Sequence, residues 1–151
     1  MTWDYYYLNI CRAVASNSKC HSRQIGAIIV RDHVVICTGY NGPPRGFPHC
    51  SDPCPRRRLG YDTGQGLHLC PAAHAERNAV DQAARLGIAT AGATMYMNCP
   101  VPCKDCLITL IQAGIVEVVC TDPDSLYDYM SGKLRDYIQI RGFKGLLVEK
   151  H

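Results

Sequence analysis

The chain has 151 residues, is 47% hydrophobic and 19% charged, and carries a formal net charge of +3. That length suits one compact domain, residues 1–151, with enough apolar content to bury a core. The weak positive balance argues against a dedicated nucleic-acid binder and suits a small anionic ligand such as a nucleotide phosphate. No run of 18 apolar residues exists to span a membrane. The first nineteen residues lack the charged start and apolar run of a secretory leader, so a cytoplasmic location is expected. In a reducing compartment the ten cysteines read as metal ligands or small core residues rather than a disulfide framework.

Thr2 is placed to cap a first helix running to about Ser16, with Trp3, Tyr7, Ile10 and Val14 near one face. Two strand-like runs follow, Ile25 to Val30 and Val34 to Gly39, with Arg31 and Asp32 as the turn of a hairpin. From Tyr40 to Ala73 the chain is irregular, with six prolines, Cys50, Cys54, Cys70, His49 and His68. A loop this long inside a compact domain needs something to tie it down. A second helix is expected from about His74 to Leu86, stopped by Gly87. Then come a strand at Ala93 to Asn98, a helix from Cys103 to Ala113, a strand at Ile115 to Cys120 and a helix somewhere between Asp124 and Ile140. Phe143 to Val148 reads as a last strand. Alternating strands and helices imply an α/β layer fold, made mixed by the opening hairpin. Cys11, Cys37 and Cys120 stand singly in apolar runs and read as core.

The chemistry concentrates in two short pieces, His74-Ala-Glu76 and Pro102-Cys103-Lys-Asp-Cys106. A C-x-x-C at a helix start lets both sulfurs reach one tetrahedral ion, and the helix dipole favours the thiolates that a metal needs. Loops at the same strand ends of an α/β sheet meet in space, so the two helix starts can converge. His74, Cys103 and Cys106 make three protein ligands and leave one position for water, as a catalytic zinc requires. Glu76 is two residues from His74 and suits general acid and base work beside that water, taking its proton and delivering it to a ring nitrogen and a leaving amine. His-x-Glu followed by Pro-Cys-x-x-Cys is the pattern of zinc-dependent nucleobase deaminases.

With these motifs the sequence resembles the deoxycytidylate (dCMP) deaminases, bacteriophage members included, within the cytidine deaminase superfamily. The matching segments are Ile25-Gly-Ala-Ile-Ile-Val30, Gly39-Tyr-Asn-Gly-Pro43, His74-Ala-Glu-Arg-Asn-Ala79, Gly92-Ala-Thr-Met-Tyr96, Pro102-Cys-Lys-Asp-Cys106 and Gln112-Ala-Gly-Ile115. The resemblance implies a single-domain cytidine-deaminase-like three-layer fold around a mixed five-stranded sheet. It implies zinc-dependent hydrolysis of dCMP to dUMP and ammonia, with Glu76 as the proton shuttle and His74, Cys103 and Cys106 on the catalytic zinc. By the same likeness Asn41 lies near the sugar, and a homo-oligomer, a hexamer in many members, is activated by dCTP and inhibited by dTTP between subunits. Some members hold a second, structural zinc; the corresponding positions here are Cys20, Cys50, Cys54 and Cys70, with His49 and His68 as competing ligands. Such a site would close the long loop.

Arg23 is a candidate for the substrate phosphate, although relatives sometimes carry that arginine one position earlier, where this chain has Ser22. Relatives place a tyrosine near the same phosphate soon after the strand ending at Cys120; here Pro123 and Asp124 intervene and Tyr127 takes the role. Arg56, Arg57 and Arg58 read equally as a phosphate clamp or a solvated face. Tyr5, Tyr6 and Tyr7 read as core and interface rather than a stacking platform. Four other functions compete: a nucleoside cytidine deaminase, a transfer-RNA adenosine deaminase, an inactive zinc or nucleotide-binding module, and a redox protein using Cys103 and Cys106; a fifth, a riboflavin-pathway deaminase, would expect a partner reductase domain, for which 151 residues leave no room. The Gly-Tyr-Asn-Gly-Pro turn and long loop argue against the first two, Glu76 against the third and the His-x-Glu element against the fourth.

Overall fold

The structure is a computed structural model that describes residues 2–20, 23–48, 55–62, 66, 69–125 and 128–143. Helix α1, Trp3–Ala15, begins where the Thr2 hydroxyl accepts the Tyr5 amide at 3.1 Å. Strands β1, Gly26–Arg31, and β2, Val34–Tyr40, form the expected hairpin. Its turn sits one residue later than the sequence suggested, at Asp32 and His33, both in the left-handed region with φ of 53° and 63°. Paired positive φ values match the right-handed twist of the flanking strands.

The sheet has five strands in the order β2-β1-β3-β4-β5, with β3 at Thr94–Met97, β4 at Glu117–Cys120 and β5 at Gln139–Gly142. β1 is antiparallel to both neighbours; β3, β4 and β5 run parallel. The expected mixed five-stranded sheet is therefore present. The fifth strand lies earlier than the stretch expected as the last one: β5 ends at Gly142 and Phe143 follows outside it, while 144–148 of the expected strand lie outside the described residues. In β5, Ile140 faces the core, while Arg141 on the other face reaches Asp4 at 2.7 Å and Glu117 at 3.2 Å. A salt-bridged arginine in a four-residue strand disguises the period-two pattern. The helix expected between 124 and 140 is shorter than that window, a 3-10 turn at Pro123–Ser125 and then α5 at Tyr129–Leu134.

Two apolar layers sandwich the sheet. On one face α1 packs Tyr7, Leu8 and Cys11 against Ile28, Val30, Tyr96 and Val119. On the other, α3 (Ala75–Leu86) and α4 (Lys104–Gln112) cover Ala27, Ile29, Met95, Met97 and Val118. Cys11, Cys37 and Cys120 are buried as expected. Trp3 is not on the buried face; it is 53% exposed and stacks on His33 of the hairpin turn at 4.1 Å. Among the tyrosines, Tyr7 is core and Tyr6 is exposed.

Two glycines set how closely helices approach this sheet. A Cβ on Gly26 would lie 2.6 Å from the Ala15 amide nitrogen of α1. One on Gly39 would lie 2.6 Å from the Ala75 carbonyl oxygen and collide with the Ala79 backbone. Helix α3 thus rests directly on β2, which fixes where its N-terminus points. The long loop is closed at its base by paired bonds between Gly42 and Ala73, and it contains a short helix α2, Pro55–Arg58. Arg56 of that helix is buried and Arg58 exposed. No helix among the described residues is long and apolar enough to cross a membrane.

Candidate metal centre and active site

Strand directions bring the site together. β1 begins where β2, β3 and β4 end, so the segment before β1 meets the segments that leave β2 and β3. Asn41 donates its side-chain amide to the Arg23 carbonyl at 2.9 Å and accepts the Ile25 amide at 2.9 Å. Asn98 accepts the Gly26 amide at 2.7 Å, and the Thr121 amide after β4 donates to the Cys99 carbonyl at 2.9 Å. The N-termini of α3 and α4 open at this same edge.

His74 is the N-cap residue of α3 and Cys103 that of α4, and neither side chain makes a capping hydrogen bond. They turn toward each other instead. His74 Nδ1 lies 3.6 Å from Cys103 Sγ and 3.3 Å from Cys106 Sγ. The three ligand atoms all lie within 4.8 Å of one another, the one such cluster among the described residues. A tetrahedral zinc with Zn–S of ~2.3 Å and Zn–N of ~2.0 Å has an S···N edge of about 3.5 Å, so the donor set fits this ion. His74 and Cys103 are exposed while Cys106 is buried, which leaves the cluster open on one side.

The electrostatics agree with a thiolate site. Cys103 is pushed well below the ordinary thiol range, chiefly by hydrogen bonding with the Cys106 thiol and then by His74 and the Cys106 amide. Cys106 shifts the opposite way, so Cys103 loses its proton first. His74 is raised, mainly by its hydrogen bond with Cys103. Glu76, in the first turn of α3, is only 3% exposed. Burial raises its carboxyl above the usual range, partly offset by its own backbone amide and by His74. A carboxyl moved toward neutrality is suited to both accept and return a proton.

The other expected residues divide into three groups. Arg23 is exposed at the rim, where its charge opposes protonation of His74 and favours the ionised form of the Cys99 thiol. Asn41 is 9% exposed and ties residues 23–25 to the end of β2. Cys20 and Cys70 are half-buried, whereas Cys50, Cys54, His49, His68 and Tyr127 lie outside the described residues. Sequence reasoning missed Cys99. It is buried beside Glu76 and Arg23, its thiol pushed up to about 12 by burial first and by Glu76 second. Its position four residues before Cys103 was the available signal. A second feature also escaped notice. A cleft of about 810 Å3 runs between β2, the start of the long loop and α3, lined in part by Lys19, Tyr40, Arg45, Phe47, Asp81 and Arg85. The concavity around Val116, Arg135 and Tyr137 lies at the far end of α4 from Cys103 and holds no metal-ligating cluster.

Comparison with known proteins places this geometry. A deoxycytidylate deaminase of Mycobacterium phage D29 is 40% identical over 122 residues, covering 78% of this chain and 92% of the phage protein. A deoxycytidylate deaminase of Saccharomyces cerevisiae is 40% identical over 119 residues, which span 78% of this chain but only 37% of the yeast protein. The dCMP deaminase of cyanophage S-TIM5, solved in complex with dCMP and dUMP, shares the fold, with a TM-score of 0.71 over 91% of this chain and 94% of that one at 23% identity. Residues 1–122 match the family described as the cytidine and deoxycytidylate deaminase zinc-binding region, and the chain belongs to that family.

Proposed function

We propose that this chain hydrolyses dCMP to dUMP, with release of ammonia. The observation that carries the reading is the convergence of His74, Cys103 and Cys106 with buried Glu76 beside them. A zinc ion held by those three ligands supplies Lewis acidity and a nucleophile from water at neutral pH. Glu76 takes one proton from the attacking water and passes it to the ring N3, then takes the proton of the new C4 hydroxyl and gives it to the departing amine. Water adds its oxygen at C4, the C4–N bond breaks, and ammonia leaves, so the atoms balance. Burial of Glu76 keeps bulk water from competing for that proton. Arg23, at the rim of the opening, supplies the cation for the 5′-phosphate, with Tyr127 as its expected companion. Asn41 serves the sugar by holding the 23–25 segment in place.

Three finer points belong to the same reading. A second, structural zinc held by Cys20, Cys50, Cys54 and Cys70 would anchor the long loop; two zincs per chain by elemental analysis is the expected result, and one would discard it. Activation by dCTP and inhibition by dTTP follow the family resemblance, and the cleft lined by Lys19, Arg45 and Arg85 offers cations for a triphosphate. A hexamer in the cytoplasm is the expected assembly, which light scattering tests for size.

The deciding experiment incubates zinc-loaded protein with dCMP, CMP and deoxycytidine in parallel and follows cytosine absorbance, with and without dCTP. Turnover of dCMP alone is expected. Turnover of deoxycytidine without dCMP would keep the chemistry and overturn the substrate. Silence with all three, even with dCTP, would favour another base or a binding role.

A further inference from the structure

We propose that Asn78 is a positioning residue for the metal centre, acting through the backbone on either side of His74. The inference rests on the metal reading above. Asn78 lies one helical turn into α3 and touches no ligand atom. Its side-chain amide donates to the Tyr40 carbonyl at 2.8 Å, and more weakly to the carbonyls of Ala73 at 3.3 Å and Gly42 at 3.4 Å. Its backbone amide donates to the His74 carbonyl at 2.9 Å. The backbone bond is the ordinary first bond of α3, while the side chain ties the Ala73 carbonyl, one residue before His74, to the end of β2.

The need for such a grip follows from the chain path. The segment from Tyr40 to Ala73 leaves β2 and must return so that His74 meets two sulfurs on another helix. The paired bonds between Gly42 and Ala73 close the base of that loop. They leave the Tyr40 carbonyl, at the very end of β2, to Asn78. A histidine at an N-cap has extended backbone, with φ of −69° and ψ of 156° here, so its ring direction depends on how the preceding peptide is held. Partners that orient a metal ligand typically govern affinity by about 10–100-fold. Asparagine fits because one nitrogen supplies two hydrogens to a group of carbonyls. Aspartate, of the same shape, would set a negative charge against three carbonyl oxygens.

The test uses cobalt(II) in place of zinc, because a tetrahedral site with two thiolates gives visible and charge-transfer bands that report geometry directly. Wild type, N78D, N78A and the conservative N78Q are compared for these bands, for zinc affinity by chelator competition, and for kcat against KM. T2A, loosened at a helix far from the centre, controls for general instability. N78D and N78A are expected to lose about tenfold or more in metal affinity, with altered bands and a fall mainly in kcat. N78Q should recover part of both, and T2A should match wild type. If N78D does not fold, N78A carries the same measurements. Unchanged bands and affinity in the soluble variants would overturn the role, as would equal losses in T2A. A wild-type protein that gives no cobalt bands would overturn the metal reading and this inference together.

Discussion

The four helices whose cap residues are described, α1, α3, α4 and α5, start in two different ways. Helices α1 and α5, away from the centre, are capped by side-chain oxygens: Thr2 accepts the Tyr5 amide and Asp128 accepts the Ser131 amide at 2.8 Å. Helices α3 and α4 carry His74 and Cys103 in the cap position, and neither side chain caps. An N-cap oxygen is worth typically ~1 kcal/mol to a helix. The centre forgoes that stabilisation twice, and its two cap side chains face a shared point instead. A departure from the local rule at a functional site is what consistent sequences show elsewhere by contrast.

The largest expected effect that sharpens this comparison comes from the first turn of α3. Glu76→Gln keeps shape and burial but cannot exchange protons, so kcat should fall ~10²–10⁴-fold. Zinc content should stay at the wild-type level, because Glu76 is not among the ligands. Loss of zinc together with activity would instead make Glu76 part of the holding site. Chelation comes next. Removing the metal should abolish turnover and speed amide exchange in the first turns of α3 and α4, while α1 is unaffected. Uniform exchange through all helices would break the contrast.

The same contrast explains what was legible in the sequence. His74, Glu76, Cys103 and Cys106 could be placed because their spacing coincides with helix starts, and the helices themselves are bounded by the apolar runs behind those starts and by Gly87 and Gly114 at their ends. The sheet was legible where strands are buried on both faces, as in Gly26–Arg31 with five of six residues buried. It was misread at β5, where Arg141 interrupts the apolar alternation to pair with Asp4 and Glu117. Cys99 and Asn78 escaped for a different reason. Their surroundings are set by segments distant in sequence, the Arg23 charge for Cys99 and the Tyr40 and Gly42 carbonyls for Asn78. Local spacing, such as that of Cys99 to Cys103, marks the residue but not the contact. The buried face of α1 was similarly shifted by an outside contact, since the hairpin turn draws Trp3 onto His33.

Restoring ordinary caps at the centre tests the proposed sacrifice directly. His74→Asn and Cys103→Ser each place a preferred cap residue before α3 and α4. In chelator, each variant should be more stable than wild type by ~0.5–2 kcal/mol in urea denaturation, while binding metal poorly. Variants that are less stable in chelator would mean that His74 and Cys103 already stabilise the metal-free helices by other contacts. Thr2→Ala supplies the reverse comparison, with a loss of ~1 kcal/mol and unchanged kcat.

The smallest effect belongs to Asp128, and its sign can be worked out. The Ser131 amide holds the Asp128 carboxyl below its ordinary 3.8, and the group is fully exposed. A carboxylate lowered in the folded state binds fewer protons there than in the unfolded chain. Its stabilisation is therefore complete above the ordinary value and is lost as pH falls through the folded one. Asp128→Asn keeps a capping oxygen and removes the charge. Its melting temperature should lie slightly below that of wild type at pH 6, and the gap should close as pH drops below about 4. Because the carboxylate faces solvent, added salt should narrow the gap at pH 6 as well. A gap that persists at low pH would assign the cap's value to hydrogen-bond geometry alone. α5 would then differ from α3 and α4 in the shape of its cap residue and not in its charge.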